Sequence, residues 1–86
     1  MARIVLTSAA EREYKRLPSE VQIRVRKLFD GDFQTNPFGP RFNTRKVQEP
    51  FTGYRLRLGD YRVLFEFEEG GTILVYRIRH RKDAYR

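Results

Sequence analysis

The chain has no cysteine among its 86 residues. That excludes disulfide stapling and any thiolate metal site. Histidine is almost as scarce: His80 stands alone, which argues against an imidazole-based zinc site. No apolar run approaches the ~20 residues a helix needs to cross a bilayer. Residues Met1 to Ser8 lead straight into helix-like sequence, without the charged, apolar and cleavage regions of a secretory leader, so a cytoplasmic protein is expected. Acid is also in short supply, with 11 Asp+Glu against 18 Lys+Arg and a net charge of +7.

What is present reads as one small globular domain spanning residues 1–86. Hydrophobic residues make up 40% and charged residues 34%, too apolar for a disordered chain. A domain of this size buries only ~60% of its unfolded surface, so its core is shared by few elements. Arginine dominates the positive charge. Its planar fork of donors suits phosphate and stacks on bases, so the composition points to nucleic acid or an acidic partner.

Along the chain, Arg3 to Thr7 reads as a short buried strand. Ser8 with Glu11 has the form of a capping box, and a helix follows from about Ala9 to Leu17 with Ala10, Tyr14 and Leu17 on one stripe. Pro18 ends it. Ser19 with Gln22 suggests a second box opening a helix that runs to about Asp30, its stripe formed by Val21, Val25, Leu28 and Phe29. The two helices, joined by almost nothing, predict a helical hairpin. Gly31 to Asn43 reads as loop, with Phe33, Phe38 and Phe42 as anchors to the body. A short strand near Arg45 to Val47 is weakly signalled.

From Gly53 onward the pattern is β. Tyr54 to Leu58 and Tyr61 to Phe67 alternate about the two-residue turn Gly59-Asp60, where glycine in first place suits type II′. Glu68 to Gly71 forms a second turn, and Thr72 to Arg79 is the last long strand. The first turn sets Leu58 opposite Tyr61, Arg57 opposite Arg62 and Leu56 opposite Val63. A four-residue second loop sets Phe67 opposite Thr72, Phe65 opposite Leu74, Val63 opposite Tyr76 and Arg62 opposite Arg77. Alternation then gives one face to Tyr54, Leu56, Leu58, Tyr61, Val63, Phe65, Leu74, Tyr76 and Ile78, which packs under the helices. The other carries Arg55, Arg57, Arg62, Arg77 and Arg79, with Glu66 as the only acid on it within these strands and with Leu64, Ile73 and Val75 among the arginines as a docking groove for a partner segment. Like charges opposed on a sheet cost a few tenths of a kcal/mol or more per pair. A face selected for stability alone would interleave acids, so this one is expected to bind a polyanion.

The stretch Tyr54-Arg55-Leu56-Arg57-Leu58-Gly59-Asp60-Tyr61-Arg62-Val63 resembles the central hairpin of RelE/ParE superfamily toxins. The ending Arg79-His80-Arg81-Lys82-Asp83-Ala84-Tyr85-Arg86 resembles the tail of the RelE branch, and the order of elements extends the likeness over nearly the whole chain. The resemblance implies an α+β fold: an N-terminal short strand and an α-helical hairpin packed on one face of an antiparallel sheet of about four strands, with RNA on the opposite face. It implies the toxin of a type II toxin–antitoxin system, an endoribonuclease that cuts mRNA in the ribosomal A site. The ribose 2′-hydroxyl attacks the adjacent phosphate, so no metal or other cofactor is needed. The implied partners are the ribosomal 30S A site with its mRNA, a RelB-like antitoxin with an acidic toxin-binding segment, and operator DNA through the antitoxin complex only.

Carried over by position, Arg55 and Arg57 match the family's basic pair before the turn, where well-known members have lysine. Arg62 matches the arginine after it, and Arg81 and Tyr85 the C-terminal arginine and tyrosine. A guanidinium stays protonated and cannot serve as a base. Cations favour the ionised phenol, which makes Tyr85 the candidate general base, with His80 the other. Arg62 is expected to stabilise the phosphorane and Arg81 the leaving 5′-oxygen. Arg55, Arg57, Arg77 and Arg79 are expected to hold RNA phosphates. Two other functions fit the same sequence: a ParE-type inhibitor of DNA gyrase, which needs no base or acid, and a non-catalytic module that binds antitoxin and operator DNA.

Overall fold

The computed structural model describes residues 3–31, 43–47 and 53–82. The expected loop anchors Phe33, Phe38 and Phe42, and the tail beyond Lys82 with Tyr85, lie outside the described residues. The described elements are β1 (Arg3–Leu6), α1 (Ser8–Arg16), α2 (Ser19–Asp30), β2 (Asn43–Lys46), β3 (Tyr54–Leu58), β4 (Tyr61–Glu68) and β5 (Thr72–His80). They form a five-stranded sheet in the order β1-β5-β4-β3-β2. The four expected antiparallel strands, β2 to β5, are present, and β1 joins them in parallel to β5. The weak strand signal near Arg45 is real, starting two residues earlier than its sequence suggested.

Both helices cover one face of the sheet. Ala10 and Leu17 of the first helical segment and Val25 of α2 are buried against Leu56, Val63, Phe65, Ile73, Val75 and Ile78. Tyr14, Val21, Leu28 and Phe29, each on an expected stripe, pack against that core.

The helix termini differ from the sequence reading. α1 is capped by Thr7, whose Oγ1 accepts the Ala10 N–H at 3.2 Å, so Ser8 is already helical and the Ser8–Glu11 box does not form. Thr7 Oγ1 also donates to the Tyr76 carbonyl at 3.2 Å. One hydroxyl thus ties the helix start to β5, a use that only tertiary structure offers. The Ser19–Gln22 box is absent as well: α2 begins after Pro18 with no side-chain cap. Gln22 Nε2 instead donates to the carbonyls of Tyr14, Lys15 and Leu17. The Tyr14 carbonyl also accepts the Leu17 N–H at 3.1 Å, so Gln22, from the first turn of the next helix, completes the C-terminus of α1.

The β3–β4 turn is as expected. Leu58 pairs with Tyr61, Arg57 with Arg62 and Leu56 with Val63. Gly59 has φ +60°, and no non-glycine among the described residues has positive φ, which fits type II′ and excludes type I′. The β4–β5 hairpin differs. Its connection is Glu69–Gly71, one residue shorter than the four-residue loop, and it turns on positive φ at Gly70 and Gly71. Glu68 therefore pairs with Thr72 and Phe65 with Val75. A bulge then skips Tyr76, so that Leu64 pairs with Arg77, Val63 with Ile78, Arg62 with Arg79 and Tyr61 with His80.

Ile73 and Val75 belong to the core beneath the helices, whereas Leu74 and Tyr76 do not. The partner of Arg62 is Arg79, and Arg77 sits two pairs further along, opposite Leu64. The expected groove on the basic face consequently loses Ile73 and Val75, and Leu64, which stays on that side of the sheet, is fully buried.

Thr7→Ala should cost about 1–2 kcal/mol, a cap plus one further hydrogen bond. Ser8→Ala should change stability by less than about 0.5 kcal/mol. Urea denaturation followed by circular dichroism measures both; equal losses would restore Ser8 as the cap.

Candidate nucleic-acid interface

Residues paired across a sheet share a face, so the registers place every strand arginine. One row across the face opposite the helices is Arg57, Arg62 and Arg79; the next is Arg45, Arg55, Leu64 and Arg77. Neighbouring strands lie ~4.8 Å apart, which makes each row a file of closely spaced side chains. Arg45 is an addition that sequence reasoning did not single out, because the weak β2 signal gave it no face.

The guanidinium groups are not equivalent. Arg57 and Arg45 are exposed and Arg55 is half-buried. Arg62 is only 9% exposed, and its Nη1 donates to the carbonyls of Gly59 at 3.1 Å and Tyr61 at 3.0 Å. It folds back over its own turn and braces it. Across that turn, the Arg24 guanidinium from α2 lies so near Gly59 that a Cβ there would stand 3.2 Å from Nη1. Glycine therefore answers both the positive φ and the close approach.

Arg77 and Arg79 are drawn toward the sheet edge. β1 pairs with β5 only as far as Val75, so the rest of that edge would otherwise present unpaired backbone. α1 takes the place of the missing strand. Glu13 Oε1 accepts the Ile78 N–H at 3.0 Å, and Glu13 Oε2 receives Arg79 Nε at 3.1 Å and Arg77 Nη1 at 3.6 Å. No local signal marks Glu13 for this role, since the contact spans 65 residues of chain.

Of the remaining expected site residues, Arg81 is exposed beside the β3–β4 turn. Its N–H donates to the Asp60 carbonyl at 2.7 Å, and its Nε lies 4.0 Å from Asp60 Oδ1. His80 is paired with Tyr61 and meets it edge-to-face, ring centroids 5.3 Å apart. Tyr61 packs on the core, so His80 lies on the helix side of the sheet, with the strands between it and Arg55 and Arg57. Its Nδ1 accepts the Lys82 N–H at 3.3 Å. It also lines an open cavity of about 330 Å³ with Glu13, Arg16, Leu17, Tyr61, Ile78 and Arg79. The structure thus gathers Arg55, Arg57, Arg62, Arg77 and Arg79 on one face, brings Arg81 to its rim, and sets His80 apart.

Chemically, the face offers forked donors for phosphate oxygens. Among the described residues, no cluster of three or more His, Cys, Asp or Glu is placed to hold a metal ion. No described helix is long and apolar enough to cross a membrane.

The two classes of arginine are separable by mutation. Arg62→Ala should destabilise the fold by about 1.5–3 kcal/mol through loss of a nearly buried charged donor to the two turn carbonyls. Arg57→Ala should change stability by less than about 0.5 kcal/mol. Thermal melts of the two variants provide the comparison; equal melting temperatures would contradict the bracing role of Arg62.

Known proteins share this arrangement of elements. Residues 4–85 match the family model described as the ParE toxin of the type II toxin–antitoxin system parDE. Toxin RelE3 of Methanocaldococcus jannaschii is 24% identical over 84 residues, covering 96% of this chain and 94% of that protein. The fold resembles the RelBE2 toxin–antitoxin complex of Mycobacterium tuberculosis, with TM-score 0.79, 24% identity, and 93% of this chain and 98% of that one covered. It also resembles the RelB–RelE antitoxin–toxin complex of Methanococcus jannaschii, with TM-score 0.77, 23% identity and 94% of each chain covered. With its family model matched almost end to end, and helices and sheet arranged as in these toxins, the chain belongs to the ParE toxin family of type II toxin–antitoxin systems, within the RelE/ParE superfamily.

Proposed function

We propose that this toxin is an mRNA endoribonuclease that acts on translating ribosomes in the cytoplasm and arrests protein synthesis. The observation that carries the proposal is the two-row file of arginines on the face opposite the helices. A gathering of like charge on one face costs stability and is compensated when a polyanion arrives. Cleavage by the substrate's own 2′-hydroxyl asks the protein for positioning, charge stabilisation and proton transfer. Arg55 and Arg57 hold the phosphates that flank the scissile bond. Arg62 keeps the turn beneath them in shape and lends its charge to the phosphorane. Arg77 and Arg79 stand at the β5 end of the phosphate track, where Glu13 already pairs with them, and Arg81 stabilises the leaving 5′-oxygen from the rim. Tyr85 is the proposed general base. His80, behind the sheet, is the weaker candidate. An acidic segment of a RelB-like antitoxin covers the same cations and silences the toxin, and operator DNA is met through that complex.

The family model's own description favours a second reading, inhibition of DNA gyrase by a ParE-type toxin. That activity needs a binding surface and no acid or base. The non-catalytic alternative requires that expression without antitoxin leave growth unchanged.

Primer extension on translated mRNA after induction of the toxin separates these readings. Cuts within codons support the nuclease, whereas cleaved-DNA gyrase complexes without RNA cuts overturn it in favour of the second reading. The Arg55→Ala, Arg57→Ala double variant and Arg81→Ala should each slow cleavage on the order of 100-fold or more while keeping the native circular dichroism spectrum. Tyr85→Phe should do likewise, and full activity in that variant would remove Tyr85 as the base.

A further inference from the structure

Glu13 has no part in the chemistry above, yet its carboxylate meets a backbone N–H and two guanidinium groups at the margin of the basic face. One oxygen is fixed by the backbone N–H of Ile78, and the other receives Arg79 and Arg77. The Glu13 side chain is only 19% exposed, so this ion cluster is less screened by salt than an open surface pair. Arg77 and Arg79 reach it from the sheet face that also carries Arg55 and Arg57, turning toward α1 to do so.

We infer that Glu13 is a built-in counter-ion for the RNA site, occupying on Arg77 and Arg79 the place that a phosphate would take and so limiting how many phosphates the toxin engages. The inference rests on RNA binding at the basic face. Its physical content is competition. A carboxylate already sitting on two guanidinium groups removes them from the set that can displace counter-ions from a nucleic acid. The toxin then holds RNA by Arg55, Arg57 and their neighbours on β2 and β3, tightly enough to act and loosely enough to release. The backbone bond to Ile78 makes the counter-ion a fixture, because it anchors the carboxylate even when an arginine swings away.

The two duties of Glu13 can be separated. Glu13→Gln keeps an oxygen for the Ile78 N–H but removes the charge. The probe is a ten-nucleotide single-stranded RNA, 2′-O-methylated so that it cannot be cut, with binding followed by fluorescence anisotropy across a potassium chloride series. Each guanidinium that passes from Glu13 to phosphate should steepen the slope of log K against log salt by about 0.7, and both together by about 1.4. Near 0.1 M salt this corresponds to binding about ten- to thirtyfold tighter. Adding Arg77→Ala to Glu13→Gln should remove about half of the gain in slope. An unchanged slope and affinity in Glu13→Gln would overturn the inference. So would weaker binding with a native circular dichroism spectrum, which would make Glu13 a positioning residue for the two arginines. If the Arg55→Ala, Arg57→Ala variant loses binding while Glu13→Gln matches the unsubstituted protein, only the counter-ion role falls. If the unsubstituted protein itself does not bind the RNA at low salt, the nucleic-acid reading falls with it.

Discussion

The bulge between β4 and β5 is the constraint on which the rest of this toxin depends. Upstream of it, β5 gives Ile73 and Val75 to the core; downstream it gives Ile78. Two core positions of one parity and one of the other cannot lie on a single face of a regular strand. The extra residue, Tyr76, resolves the conflict by resetting the alternation. Without it, the parity that buries Ile73 and Val75 would also carry Arg77 and Arg79 under the helices, into the apolar core. The bulge keeps the hydrophobic layer continuous and the arginines together.

Concentrating that much like charge is tolerated because the fold satisfies part of it internally. Arg62 is bonded to the carbonyls of its own turn and nearly removed from solvent. Arg77 and Arg79 share Glu13. Arg57 and Arg45 remain exposed, on the strands farthest from α1. The face therefore grades from internally compensated cations at the β5 edge to solvent-facing cations on β3 and β2.

α1 links these features. Its cap, Thr7, reaches β5 through the Tyr76 carbonyl, at the bulged residue itself. Two turns later Glu13 closes the strand edge that β1 leaves open. One helix thus seals the core, caps the sheet edge and offsets part of the charge of the basic face. Its C-terminus is in turn held by Gln22 of α2. Helix packing and site electrostatics are coupled through few residues, which is what a domain with so small a core requires.

The sequence by itself determined the helical hairpin, from the stripes Ala10-Tyr14-Leu17 and Val21-Val25-Leu28-Phe29. It also determined the β3–β4 register, because a two-residue turn opened by Gly59 leaves no freedom in pairing. The shared face of Arg55, Arg57 and Arg62 followed from that turn. Tertiary structure alone decided the register of β5. Ile73 to Tyr76 is apolar at every position, so alternation carries no information there, and the core chose Ile73 and Val75 over Leu74 and Tyr76. It decided the caps, since Thr7 and Gln22 found partners in distant elements that outweigh the local boxes of Ser8 and Ser19. It decided the company that Arg62, Arg77, Arg79 and His80 keep. A hydrogen bond or ion pair between residues far apart in the chain leaves no periodic trace, and Glu13 became part of the basic face only when α1 was laid along the open edge of β5.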